Sequence, residues 1–324
     1  MEETALKDEI FTLTGIIREI RGRMGDLIVG NEDLIELGVI ALLSGGHILI
    51  EGLPGTAKTT VVKTLALLSE SSFSRFQCAV DSQPADIIGV RIFDQVSREF
   101  ILKKGPVFTN FLLIDEINRL SPKTQGAFIE AMSEHQATID GETHPLPSPF
   151  IVFATQNPFE FEGTFPLIEA EKDRFMFSIV LGHMDGDGEL EVIRREQNGT
   201  LNWDDYREQL RPVISNAVIS HYSWLLKNVH MEEALMTYIR DIVLATRHHG
   251  DIRLGASSRA SIAFVRGSKV RAALDGRSYV VPDDVKWLAD KVLSHRVVLE
   301  KEAQISGITA EQVIRGILET TGVP

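Results

Sequence analysis

An apolar, β-prone run, HILIE, passes directly into GLPGTAKTT and from there into a stretch with helical spacing that reaches Leu68. A strand that must become a helix within a few residues has few options, because the chain has to leave the end of a sheet and double back along its face. Glycines are needed where the backbone bends, and Gly52 and Gly55 stand there. A loop of this kind aims successive backbone N–H groups, and the positive end of the following helix, at one point, which suits a polyphosphate. Lys58 is placed for the β- and γ-phosphates and the Thr59 hydroxyl for Mg²⁺. Ala57 stands where the general pattern has its last glycine; as a residue already entering the helix with negative φ, it is expected to be tolerated.

Three more apolar, partly β-branched runs follow, FLLID, FIVFA and FMFSIV, separated by helical stretches such as residues 59–68 and 124–134. Strands alternating with helices predict a parallel sheet covered on both faces, with ligands at the carboxyl ends of the strands. FLLIDE delivers Asp115 and Glu116 to such an end. Neighbouring strand residues point to opposite sides, so two jobs are expected: Asp115 in the Mg²⁺ shell and Glu116 polarising the attacking water. FIVFATQNP likewise opens onto Thr155, Gln156 and Asn157, where a neutral amide can orient water or the γ-phosphate. Ser121 and Pro122 predict the start of the helix at 124, and Asp140-Gly141 within ATIDGETH predicts a hairpin projecting from the sheet domain.

Beyond Val180 the glycine-rich, acidic LGHMDGDGE reads as an interdomain connection, and the remainder is almost purely helical. The predicted organisation is an α/β nucleotide-binding core with an N-terminal helix over residues 1–183, a linker over 184–215 and a helical lid over 216–324. Arg174, in DRF ahead of the last strand, stands at the rim of the sheet domain, where it would reach a nucleotide held by a neighbour in a ring. Arg259 opens a lid helix after the small residues of LGASS, and its permanently charged guanidinium suits phosphate oxygens.

The net charge of -13 opposes a nucleic-acid backbone, so nucleic acid is disfavoured as a partner. The single cysteine, Cys78, lies in an apolar run, which excludes a disulfide framework and suits a reducing compartment. Residues 34–53 are the nearest approach to a membrane span, but Glu36, the turn at 44–47 and Glu51 break it into helix, turn and strand, and a cytoplasmic protein without membrane contact is expected.

Taken in order, these motifs resemble the MoxR family of AAA+ ATPases over residues 27–298. GLPGTAKT is similar to that family's phosphate loop, in which alanine before the lysine is usual. DEINRLSPKTQGAFIEAMSE is similar to its acid-box strand and following helix, and ATQNPFEFEGTFPLIEAEKDRF to its sensor-1 and arginine-finger region. LGASSRA and GRSYVVPDDVKWLADKVLSHR resemble its sensor-2 and lid segments. The resemblance implies an AAA+ P-loop domain, a central parallel sheet flanked by helices, followed by an all-helical lid. For ATP it implies contacts from Val29 and Gly30 beside the adenine, and from Gly52, Pro54, Gly55, Thr56, Ala57, Lys58, Thr59 and Thr60. It assigns Thr59 and Asp115 to Mg²⁺, Glu116 to water activation, Asn157 to sensor 1, Arg174 to the finger and Arg259 to sensor 2. Ser258 stands where the family often has proline, so sensor 2 departs furthest from the pattern.

The resemblance further implies a homo-oligomeric, commonly hexameric, ring that remodels or matures protein partners, often ones carrying von Willebrand factor A domains. Two alternatives stay open: a nucleotide-gated assembly scaffold with little hydrolysis, and a chelatase-like or nucleic-acid motor of the related hairpin-bearing group. Asp140 and Glu142, with no lysine or arginine, make the ATIDGETH hairpin a poor DNA grip.

Overall fold

The computed structural model describes residues 3–52, 55–157 and 163–324. Two helices open it, α1 (Glu3–Leu27) and α2 (Glu32–Ser44), and the chain breaks between them at Gly30 and Asn31, both at positive φ. The core continues through β1 (Ile48–Gly52), α3 (Lys58–Leu68), β2 (Phe73–Gln77), α4 (Pro84–Ile88), β3 (Gly89–Asp94), β4 (Glu99–Lys104) and β5 (Phe111–Asp115). It is completed by α5 (Pro122–Glu134), β6 (Gln136–Ile139), β7 (Glu142–Pro145), β8 (Ile151–Gln156), α6 (Glu169–Lys172) and β9 (Phe177–Leu181).

Five of these strands form one parallel sheet in the order β2-β5-β8-β1-β9. Alternation along the strands feeds two apolar layers. Ile48, Ile50, Phe111, Leu113, Ile151 and Phe153 pack with α1, α2, α3 and the C-terminal helices. Leu49, Leu112, Ile114, Val152 and Ala154 pack with Phe128 and Met132 of α5 on the other face. Burial on both faces is why the central strands are continuous apolar runs rather than alternating ones. The edge strand β2 escapes that rule: FSRFQ spaces its two phenylalanines by three and carries neither strand nor core periodicity.

The expected details of α5 are present, with Ser121 accepting from the Thr124 N–H and Pro122 in the first turn. Asp140 and Gly141, both at positive φ, turn β6 into the antiparallel β7. A second hairpin, β3 with β4, was not anticipated from the sequence; Gly89 and Gly105 close its base so tightly that a Cβ on either would meet backbone atoms at 2.5 and 2.2 Å.

After β9 come α7 (Gly186–Gln197), α8 (Trp203–Gln209), α9 (Asn216–Leu225), α10 (Glu233–His248), β10 (Ile252–Leu254), α11 (Ser258–Leu274), α12 (Pro282–Leu293), β11 (Val298–Leu299), α13 (Lys301–Ile305) and α14 (Ala310–Thr320). The helical region is therefore interrupted by one short antiparallel ribbon, β10 with β11, and residues 184–215 carry two helices of their own. Glu36 of α2 binds Arg21 of α1 and Arg271 of α11 together, and Arg296 reaches back to the carbonyls of Phe175 and Met176 ahead of β9. These contacts fix the C-terminal helices against the sheet domain.

Two buried histidines join elements at the amino edge of the sheet. His47 Nδ1 accepts from the Val152 N–H at 3.1 Å, which leaves Nε2 protonated and donating to the Met132 carbonyl at 3.1 Å. Burial, with His135 nearby, pushes its pKa down from 6.5 to about 3. His295, between Ser178 and the Phe175 carbonyl, is held well below its ordinary value by burial and by Arg296. Both stay neutral in the folded chain where an unfolded histidine takes up a proton. Stability is thus complete above pH ~6.5 and falls as pH drops below it, by about 1.4 kcal/mol per pH unit for each histidine. Urea unfolding at pH 7.5 and 5.5 should show this loss, and His47→Gln should be less stable at pH 7.5 but lose about half as much on acidification; an unaltered pH slope would refute the assignment.

Candidate active site

β1 ends at Gly52, where β9 comes too close for any side chain: a Cβ there would meet the Leu181 carbonyl oxygen at 2.7 Å. Gly55 takes φ 85°, and the chain enters α3 at Lys58. Pro54 lies outside the described residues. Thr56, Lys58, Thr59 and Thr60 are half-buried around the first turn of α3, so the backbone N–H groups of that turn face the carboxyl edge of the sheet. Ala57 overturns one expectation. It sits in the left-handed region at φ 55°, ψ 14°, not in the helix, so the loop does require here the conformation glycine adopts freely. Alanine accepts it at a cost of about 1 kcal/mol.

Lys58 Nζ donates to the Gly52 carbonyl at 3.0 Å. Burial lowers its pKa, while Asp115 and Glu116 oppose that shift, which places both acids within electrostatic reach of the ammonium. Asp115 is the last residue of β5 and is buried; its Oδ1 accepts from Thr155 Oγ1 at 3.3 Å and its Oδ2 from Arg75 Nε at 2.5 Å. Glu116 is not a strand residue: at φ 58° it turns the backbone, and its N–H donates to the same Thr155 hydroxyl at 3.0 Å. Its carboxylate accepts from Gln77 Nε2 at 3.1 Å and pairs with Arg119 at 2.8 Å. Arg75 and Gln77 are two apart on β2, so they share a face. The strand rule that sends the acids to opposite sides therefore fails, because the left-handed residue swings Glu116 back toward Asp115's side. Asn157 follows β8 and is half-buried, beside Gln156, whose amide donates to Glu51 of β1 at 2.6 Å.

A cavity of about 490 Å³ lies beside this edge, lined by Gly30, Asn31, Thr56, the end of β9, and Lys291 and Glu311 of the helical region. Asn31 Nδ2 donates to the Thr56 carbonyl at 3.4 Å and ties this wall to the phosphate loop; Val29 precedes Gly30 and is half-buried. The volume falls within the range of small-ligand sites. Among the described residues no three His, Cys, Asp or Glu side chains gather to hold a metal ion. A divalent cation here would have Thr59 and Asp115 from the protein and phosphate and water oxygens for the rest, which is the habit of Mg²⁺. The buried Asp115 carboxylate, already facing cationic groups, fits that role.

Arg174 and Arg259 are not part of this cluster. They line a separate cavity of about 270 Å³ together with Gly45, Gly46 and His47, at the amino edge of the sheet. Arg259 donates to Asp173 at 3.3 Å, Ser257 and Arg296 hold the same carboxylate, and Arg174 donates to the Ala170 carbonyl at 2.8 Å. With five residues in β1 at roughly 3.3 Å each, the two edges are ~16 Å apart, farther than an arginine side chain reaches. Thr155, Arg75, Gln77 and Arg119 were missed as site residues from the sequence. Thr155 alone carried a signal, its place after the apolar run of β8; β2 lacks the pattern that would have announced Arg75 and Gln77, and Arg119 lies in the short turn after β5.

The geometry agrees with what known proteins show. Residues 47–177 match the model of the ATPase family associated with various cellular activities (AAA), and residues 244–317 match that of the AAA lid domain. The chain is 40% identical to Chaperone MoxR1 of Mycobacterium tuberculosis, over 98% of this chain and 84% of the relative. It is 28% identical to Protein MoxR of Methylorubrum extorquens, over 92% of each. A crystal structure of a protein from Cytophaga hutchinsonii superimposes with a TM-score of 0.91 at 39% identity, covering 100% of this chain and 99% of that one.

The left-handed position of Ala57 is directly testable. Ala57→Gly should keep nucleotide affinity within about two-fold, whereas the β-branched Ala57→Val, which resists positive φ, should lose at least ~10-fold. Titration with a fluorescent nucleotide distinguishes the two; equal affinity in both variants would contradict the observed backbone.

Proposed function

The chain belongs to the MoxR-type AAA+ ATPases, and from that premise we propose that it is a Mg²⁺-dependent ATPase whose hydrolysis, in a ring oligomer, drives remodelling or maturation of protein partners. The observation that carries the reading is the convergence of Lys58, Asp115, Glu116 and the carboxyl end of β8 at one edge of the sheet, beside a cavity bounded by Gly30 and Thr56. When bound, Mg²⁺, held by Thr59 and Asp115, would offset the negative charge that develops on the phosphate.

The chain's own groups divide the remaining work. Backbone N–H groups at the start of α3 and the Lys58 ammonium bind phosphate oxygens. Glu116, steered by the Thr155 hydroxyl and by Gln77, is placed to accept a proton from an attacking water. Asn157 orients that water or the terminal phosphate without adding charge. Arg174 and Arg259 lie at the opposite edge from their own phosphate loop, which supports service to a neighbour's nucleotide and hence the ring; a hexamer is the form the family resemblance supports. A partner surface is also at hand. The β3–β4 hairpin exposes Phe93 and Phe100, stacked edge to face at 5.4 Å, and Val96 at its tip. These side chains would meet a protein client, with a von Willebrand factor A-domain protein as the resemblance's candidate. No helix of the described residues is long and apolar enough to cross a membrane.

The scaffold alternative would need a crippled base, and Glu116 is intact with its orienting partners. Glu116→Gln is expected to keep ATP affinity while phosphate release falls by at least ~100-fold; equal turnover in variant and wild type would sink the reading. Arg174→Ala should be as inactive, and mixing it with Glu116→Gln subunits should restore part of the turnover. No recovery at any ratio would rule out a finger acting between subunits.

A further inference from the structure

The two acids of the site are joined by a closed loop of side chains from the edge strand. Asp115 accepts from Arg75 Nε at 2.5 Å, Arg75 donates through its NH2 group to Gln77 Oε1 at 3.1 Å, and Gln77 donates to Glu116 at 3.1 Å. The register that sets Gln77 opposite Asp115 and Arg75 opposite Leu113 puts these groups on one face of neighbouring strands. Asp115 is 8% exposed, and a carboxylate so far withdrawn from water needs a counter-charge at all times. In the absence of a cation the guanidinium supplies it. A divalent cation on Asp115 would demand the carboxylate oxygen that Arg75 now holds, and like charges so close repel.

We propose that Arg75 is a positioning residue that stands in for the divalent cation on Asp115 and must give way when the metal arrives with nucleotide, so that it sets the metal concentration at which the site loads. The inference rests on the Mg²⁺-ATPase reading above and deepens it. Three features favour exchange over a fixed brace. The Arg75 side chain is 50% exposed, so it has solvent to move into, whereas Lys58 is bound into the loop. Its second contact is to the neutral Gln77, which fixes the plane of the guanidinium without adding a competing charge. Asp115 Oδ1 keeps its Thr155 hydrogen bond whichever cation occupies Oδ2, so the carboxylate stays oriented through the exchange.

The test is the Mg²⁺ dependence of fluorescent ADP affinity in wild type, Arg75→Gln and Arg75→Lys, with affinity in EDTA measured alongside and folding checked by thermal melting. In Arg75→Gln the Mg²⁺ midpoint, read against that variant's own affinity in EDTA, should fall about five-fold, the scale of an ion pair with one half-exposed partner. Arg75→Lys, which keeps the charge but loses the planar fork, should lie between, and it carries the test alone should Arg75→Gln fail to fold. A midpoint that is unchanged, or raised, in a folded variant overturns the proposal: Arg75 would then be a brace between β2 and β5, or an aid to the metal. Wild-type ADP affinity indifferent to Mg²⁺ would instead overturn the Mg²⁺-ATPase reading itself.

Discussion

Two carboxylates on consecutive residues, at the mouth of a strand whose every other side chain is buried apolar, are the constraint around which this molecule is arranged. Neither can be left without compensation in that setting. Cations therefore converge on them from three directions: Lys58 from the phosphate loop, Arg75 from the edge strand and Arg119 from the turn that follows. The same electrostatic demand that makes the edge costly to fold suits it to the metal–nucleotide complex proposed above. Cys78, next after Gln77, shows how strong that field is: burial first, then Asp115 and Glu116, push its thiol well above the ordinary range and keep it an inert core group.

The sheet separates the two halves of the proposed chemistry. Its carboxyl edge holds the groups that would bind and hydrolyse, and its amino edge holds Arg174 and Arg259 in a network centred on Asp173. Asp173, which binds Arg259 of the helical region, is the chain neighbour of Arg174, so a displacement of the C-terminal helices bears on both guanidiniums. One strand length lies between the two edges, so the ring proposed above would bring one copy's amino edge onto another's carboxyl edge. Head-to-tail contacts of that kind are heterologous, and they close into a ring where the rotation between copies allows it.

Much of this was legible in the sequence because buried parallel strands advertise themselves. HILIE, FLLID and FIVFA needed no periodicity to be recognised, and the residues immediately after them had to lie at the ligand edge. What stayed hidden has a physical reason in each case. β2 lies at the sheet's margin, where half-exposure removes the apolar run, so Arg75 and Gln77 could not be placed. The β3–β4 hairpin turns at residues 95–98 without an Asn-Gly or Asp-Gly pair, and its exposed apolar residues mimic a core segment. The opposite placement of Arg259 from Lys58 depends on how the helical region packs against α2, which no local pattern encodes.

Three of the seven described non-glycine residues at positive φ border the site. Asn31, Ala57 and Glu116 all adopt left-handed conformations, at φ 62°, 55° and 58°. Each sits where a regular element stops and a side chain or N–H must be turned toward the nucleotide edge. At Asn31 the turn joins the helix pair to the phosphate loop, at Ala57 it launches α3, and at Glu116 it brings the second acid alongside the first. A non-glycine residue in this region costs about 1 kcal/mol or more, so three of them around one site amount to a sizeable fraction of a domain's net stability. Glycine would relieve the cost at Asn31 or Glu116 only by deleting a side chain that holds Thr56 or pairs with Gln77 and Arg119. At Ala57 no such side chain exists, so there glycine would relieve the cost outright, and the strain is carried by the loop alone.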